Sequence, residues 1–233
     1  MHSEDRIIHF SVELIHRAVP FRKEALQKLY FDLSQTRGGY DSTDFTNPAQ
    51  VKFYSRRGTR TQSLAIFLPD RVLLVEEWTD SSLNEFVEKL RDFAPRVLEA
   101  RDVPQFNLHA CTIRSTFALS PQQSDSRVFL LDQVCSQANK VTPYFRRPLA
   151  KAGLTFSFPQ TNEDPGAFTV IIEPFMHSPK EIYVEVKGVF GQTPVDREAV
   201  EVLADNVRGV RHFISDRVYP YLNQFDLPLG INE

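Results

Sequence analysis

The stretch IIHFSVELI alternates without interruption: Ile8, Phe10, Val12 and Leu14 share one parity, and His9, Ser11 and Glu13 the other. A period of two, with β-branched and aromatic residues on the apolar parity, predicts a strand with one buried face. The period then changes. Phe21, Ala25, Leu26, Leu29, Tyr30 and Leu33 recur at helical spacing behind Pro20, so the spacing predicts a helix over 20–35 that stops at Gly38-Gly39. After the polar, turn-rich GGYDSTDFTNPAQ, the runs QVKFYSRR, TQSLAIFLP and DRVLLVEEW read as three strands divided by Arg57-Gly58-Thr59 and Pro69-Asp70. Such short connections favour an antiparallel meander. Asp80 or Ser81 is the expected cap of a helix whose stripe is Leu83, Phe86, Val87, Leu90, Phe93, Val97 and Leu98.

The same order is then legible a second time. QFNLHACTIRSTFAL is a long strand, and after a polar break at Ser120–Asp125 a helical stretch carries Val128, Leu131, Val134, Cys135 and Ala138. GLTFSFP, AFTVIIEPF and EIYVEVKGVF are three further strands, the last alternating Ile182, Val184 and Val186 against Tyr183, Glu185 and Lys187. Thr193 with Pro194 predicts the start of a final helix, along Ala199, Val202, Leu203, Val207, Val210, Phe213, Ile214 and Val218 up to Pro220. Corresponding elements lie roughly 100 to 115 residues apart, too far for a solenoid repeat and suited to a duplicated domain. The expected fold is therefore α+β: two tandem strand-helix-three-strand-helix units, 1–103 and 104–233, packed as one pseudo-duplicated domain. Its sheet is expected to be mainly antiparallel, with the long helices on one face and a concave surface or cleft opposite.

Composition adds little that is specific. The chain has 233 residues, 42% hydrophobic and 24% charged, with nineteen Phe against two Met and one Trp, which favours stiff, shaped packing in the core. A net charge of −3 gives no global drive toward nucleic acid or an anionic membrane. The charged N-terminus MHSEDRIIHF lacks the apolar core of a signal peptide, and no run approaches a membrane span, so a cytoplasmic protein is expected. Cys111 and Cys135 match neither a CxxC pair nor a zinc framework and read as buried thiols.

Two basic segments are the candidate ligand-binding residues. YSRRGTR places Arg56, Arg57 and Arg60 around a glycine turn, where guanidinium groups could hold a carboxylate or phosphate. YFRRPLAK joins Tyr144 to Arg146 and Arg147, with Phe145 and Lys151 beside them, a mixture suited to stacking plus attraction of an anion. Solvated loops are the competing account of both. The six histidines form no close ligand pair, and no metal or other cofactor is expected. Glu13, Glu76, Glu77, Glu173 and Glu185 sit on strands or their ends, where alternation favours exposed sheet-face carboxylates. Neither a GxSxG elbow nor a P-loop is present, so catalysis is an open question with a negative leaning.

The run VKFYSRRGTRTQSLAIFLPDRVLLVEEW, its following helix and HACTIRSTF together resemble the middle of a sporadically distributed prokaryotic family of unknown function. The resemblance rests on Pro69-Asp70-Arg71, Trp78 and Ile113-Arg114. The family's Arg-Tyr-x-Asn run is absent here, Ser115 and Thr116 following Arg114. The family supplies no catalytic residue to carry over. The expected function is non-enzymatic: binding a small ligand or protein partner, or assembling into a homo-oligomer, through a groove or sheet edge where the two units join. A small enzyme acting on an anionic substrate in an inter-unit cleft, and a nucleic-acid binder using the basic loops, are the alternatives.

Overall fold

Strand β1 (Arg6–Ile15) buries Ile8, Phe10, Val12 and Leu14 as its alternation requires. It is paired on both sides, with Val12 opposite Leu74 of β5 (Arg71–Glu77) and Cys111 of β6 (Leu108–Ala118). The computed structural model describes residues 5–36, 38–123, 125–147 and 149–226. Residues 1–4 of the charged N-terminus, Ser124 of the polar break, Pro148 of the second basic segment and the last residues, 227–233, lie outside that set.

The remaining strands are β2 (Ser42–Asp44), β3 (Val51–Arg57), β4 (Thr61–Phe67), β7 (Leu154–Phe158), β8 (Ala167–Pro174) and β9 (Glu181–Phe190). They complete one nine-stranded antiparallel sheet in the order β2-β3-β4-β5-β1-β6-β9-β8-β7. The sheet runs without a break across the expected unit boundary, because β1 and β6 share a ladder. β2 was not expected. Its three polar residues carry no period, and the register with β3, Thr43 opposite Phe53, holds them extended.

Helix α1 (Lys23–Ser34) starts later than the spacing predicts, because His16 and Val19 donate to Asp70 and Pro69 carbonyls and tie the approach segment to the β4–β5 turn. Helix α2 (Leu83–Arg101) is capped by Ser82 and not by Asp80 or Ser81. Ser82 and Glu85 form a capping box, while the Ser81 amide is used by Thr79 Oγ1 at 2.9 Å. In the second half the expected helical stretch is broken. A short α3 (Ser126–Val128) passes into a π turn over Phe129–Val134, closed by Cys135 N–H on the Leu130 carbonyl, and α4 (Ala138–Phe145) follows Ser136 at φ 53°. Cys111 is buried and Cys135 only partly so.

The last helix, α5 (Glu201–Phe213), does not begin at Thr193. Val195 exchanges two 2.8 Å backbone hydrogen bonds with Phe106, which fixes an extended conformation there, and Asp196 then accepts from the Glu198 and Ala199 amides. Nor does the helical path end at Pro220. A π turn over Ile214–Val218 leads into α6 (Tyr219–Asn223), with Pro220 in its first turn.

Core contacts tie helices to strands. Phe86 of α2 stacks on Phe10 at 4.9 Å between ring centres, and Phe93 lies 6.2 Å from Phe67, itself 4.8 Å from Phe53. All five rings are essentially inaccessible, each worth roughly 1.5–3 kcal/mol of burial. Among the described residues no helix is long and apolar enough to cross a membrane.

Helix α5 lies close enough to β9 for a Cβ at Gly188 to fall 2.8 Å from Val210 Cγ2 and 2.9 Å from the Phe190 ring. Gly188→Ala is accordingly expected to destabilise by about 1–3 kcal/mol through overpacking. Without that contact, Ala in a strand would be favoured by several tenths of a kcal/mol, so the sign of the urea-midpoint shift decides the matter. An unchanged or raised midpoint contradicts the close approach.

Candidate functional site

A cavity of about 800 Å³ lies between the N-terminal half of α2, the inner face of β3–β5 and the segment that links α1 to β2. Its floor is built from Glu76, Ser63 and Ser55, which share the parity of the apolar residues on their strands. In β5, Val72 and Leu74 point inward, and Glu76 follows two residues on. The expected exposed carboxylate is thus a buried one. The correction has a physical cause: Lys89, one turn after Phe86 and one before Phe93 on the inner face of α2, supplies the counter-charge.

Lys89 Nζ lies 2.7 Å from Glu76 Oε1, 2.6 Å from Ser63 Oγ and 3.2 Å from the Gly38 carbonyl, so all three ammonium donors are used. Ser63 Oγ in turn donates to Glu76 Oε1 at 2.7 Å. The ammonium also sits 4.6 Å from the centre of the Tyr40 ring, a cation–π contact. A Ser63–Lys89 contact has the residue types of a nucleophile and base. Here, however, the lysine is engaged as a cation by a carboxylate and two further acceptors, and the Ser63 O–H is directed at Glu76, so the pair is arranged for structure.

Two residues that line this cavity hold a buried hydroxyl without a firm partner. Tyr40 is 2% exposed and Ser55 5%; Ser55 Oγ makes no hydrogen bond among the described residues, and Tyr40 Oη has at most a loose contact with the Ser63 hydroxyl. Burial, then the Glu76 charge, push the Tyr40 hydroxyl well above its ordinary pKa, against a smaller opposing effect of Ser63. It is a neutral phenol, able both to donate and to accept. The mouth is shaped by Trp78 at φ 50°, a left-handed conformation that costs on the order of 1–3 kcal/mol. The turn carries Thr79, Asp80 and Ser81 onto the cavity wall, and Trp78 is braced by Arg60 at 5.4 Å and Phe175 at 6.3 Å.

The basic residues singled out in the sequence disperse. Arg57 lines the cavity; Arg56, one residue earlier, lies over the Tyr54 ring at 5.9 Å, and Arg60 over Trp78. Tyr144, Arg146 and Arg147 are exposed at the end of α4, and no hydrogen bond, ion pair or ring contact joins them to the first group among the described residues. Sequence reasoning missed Tyr40, Ser55, Ser63 and Lys89.

On the opposite side of the sheet Gln62, Glu77, His9, Arg114 and Glu185 form one cross-strand row. Arg114 Nε and Tyr183 Oη both reach Glu185 Oε2 at 2.6 Å, and Gln62 donates to Glu77. Burial and the Arg114 charge lower the pKa of His9 to about 4, outweighing Glu77 and Glu185. Arg114, Tyr183, Glu185, Gln62 and Glu77 satisfy one another, while His9 Nδ1 is buried without a hydrogen bond among the described residues. Among the described residues no three His, Cys, Asp or Glu side chains converge as a metal-binding set. No protein-family model and no curated protein matches the chain.

Proposed function

We propose that this is a non-enzymatic protein that binds a small polar molecule in the cavity between α2 and β3–β5. The observation that carries the reading is the pair of buried hydroxyls without a firm partner, Tyr40 Oη and Ser55 Oγ. A buried polar atom without a partner costs about 1–3 kcal/mol, which a ligand group of matching polarity offsets on binding. The saturated Glu76–Lys89–Ser63 cluster gives that ligand a rigid floor and argues against acid–base turnover. The junction of the two halves, where the sequence directed attention, is taken up by the β1–β6 ladder, so the proposal places the ligand within the first half.

The same reading treats the chain as two tandem units with their long helices on one side of the sheet. Its support is the strand order: outward from the β1–β6 centre, each half runs first strand, last strand, then the intervening strands in reverse, with β2 as an additional edge strand in the first half. Phe86 of α2 touches Phe10, and Val210 of α5 approaches Gly188, whose neighbours in the ladder continue the parity of Phe10.

Asn84 is exposed on α2 at the mouth, so Asn84→Trp obstructs the cavity without touching the core. In a thermal-shift screen of amino acids, sugars, nucleosides and organic acids, at least one compound is expected to raise the wild-type Tm by several degrees, as mass action requires at about 100 Kd. The same compound is expected to leave Asn84→Trp unshifted. Protection of both proteins alike, or of neither, overturns the assignment.

A further inference from the structure

The charged side chains around this cavity divide into used and unused groups. Glu76 and Lys89 satisfy each other, Glu85 closes the α2 capping box, Glu88 is bonded to Arg91, and Asp92 accepts from Arg96 at 2.7 Å. Arg57 and Asp80 are left, of opposite sign, with no ion pair or hydrogen bond among the described residues. Both stand on the cavity wall. Arg57 is the cross-strand partner of Thr61, whose hydroxyl donates to the Trp78 carbonyl at 2.9 Å, and Asp80 follows two residues later. Two strand spacings of about 4.8 Å set the Arg57 and Trp78 backbones roughly 10 Å apart, and Asp80 lies two residues beyond Trp78 on the cavity wall, so the long arginine side chain supplies the reach toward a small molecule held by Asp80.

Resting on the cavity reading above, we propose that the ligand is a zwitterion of the amino-acid type, with its carboxylate on Arg57, its ammonium on Asp80 and a polar side chain directed at Tyr40 and Ser55. A pure anion would meet Asp80 and a pure cation Arg57, each with a like charge opposing it, whereas a zwitterion uses both. Arginine suits the carboxylate because its planar fork bonds two oxygens at once. The inner end is polar but internally neutral, since the Glu76–Lys89 pair cancels and the two buried hydroxyls carry no charge. Such a lining accepts a hydroxyl or amide group and disfavours a further charge.

The test is calorimetric titration of wild type, Arg57→Gln and Asp80→Asn. The probes are L-serine and L-glutamine, ethanolamine and 3-hydroxypropionate as serine without its carboxylate or its ammonium, and D-glucose as the neutral control. Both substitutions fall on exposed side chains, so folding is expected to be preserved, which circular dichroism checks. The expected result is binding of L-serine or L-glutamine, with both truncated probes at least tenfold weaker than serine when serine binds. Arg57→Gln and Asp80→Asn are each expected to weaken the zwitterion at least tenfold. Arg57→Gln should strengthen ethanolamine, and Asp80→Asn should strengthen 3-hydroxypropionate, because each substitution removes the like charge that opposes that probe. Equal binding of the truncated probes, wild-type affinity in either variant, or binding of glucose alone overturns the zwitterion while the cavity assignment stands, provided Asn84→Trp removes that binding. Failure of both amino acids also overturns it, and the broader screen then decides separately whether the cavity binds anything.

Discussion

Lys89→Met is expected to destabilise the protein by about 2–4 kcal/mol, because it leaves the Glu76 carboxylate buried beside Ser63 without its counter-charge. The Glu76 side chain is 10% exposed and that of Lys89 21%, so the pair lies between a surface bridge, worth almost nothing, and a fully buried one. Most of the loss comes from the stranded carboxylate and little from the attraction itself. Adding Glu76→Gln to Lys89→Met should therefore recover a large part of the stability, since an amide needs no cation and can still accept from Ser63. Urea unfolding of the two single variants and the double variant supplies the cycle. Additive losses would mean that the two groups do not act as a pair and that the cavity floor is assembled differently.

Acidification gives the second large effect. Burial lowers His9, with help from Arg114, and burial alone lowers His109, each from 6.5 to about 4. His109 is 1% exposed, stacked on Phe190 at 5.3 Å and bonded at Nε2 to Asn206 Nδ2 at 2.8 Å. Above pH 6.5 both rings are neutral in the folded and unfolded chains and contribute no pH dependence. Between 6.5 and about 4 the unfolded chain binds protons that the folded one refuses, so stability falls as pH falls; below 4 the effect is complete. Each ring contributes on the order of 3 kcal/mol over that window, and His16 is shifted in the same direction by burial. Stability from urea curves should drop steeply from pH 6.5 to 4.5. The His9 and His109 ring resonances should remain those of neutral imidazole at pH 5. Titration of both rings near 6.5 would contradict their burial.

Much of the sheet was legible from the sequence, and the reason is parity. Ile8, Phe10, Val12 and Leu14, or Ile182, Val184 and Val186, each repeat every second residue, and a one-residue slip would turn them all to solvent. What the period could not reveal is what tertiary contacts impose. The three residues of β2 are extended because β3 pairs with them. The start of α5 is delayed because Phe106 holds Val195.

The site was half visible. Glu76 has the parity of Val72 and Leu74, and Lys89 falls three after Phe86 and four before Phe93, so both could have been placed on inward faces. The Ser82-x-x-Glu85 box was equally present. Tyr40 and Ser55 carried no such mark: Tyr40 lies in an irregular segment, and a serine on the apolar parity of β3 reads as a gap in the pattern until the space above it is known. Arg57 was among the basic residues expected to bind, and it is the one of that set that reaches the cavity.

The most direct test of the central claim is the crystal structure of the protein with whichever compound protects it most strongly from heat. The account requires that compound between α2 and β3–β5, with polar atoms within hydrogen-bonding distance of Tyr40 Oη and Ser55 Oγ. A compound seated instead on the open face beside Arg114 and Glu185, with the cavity empty, would contradict it.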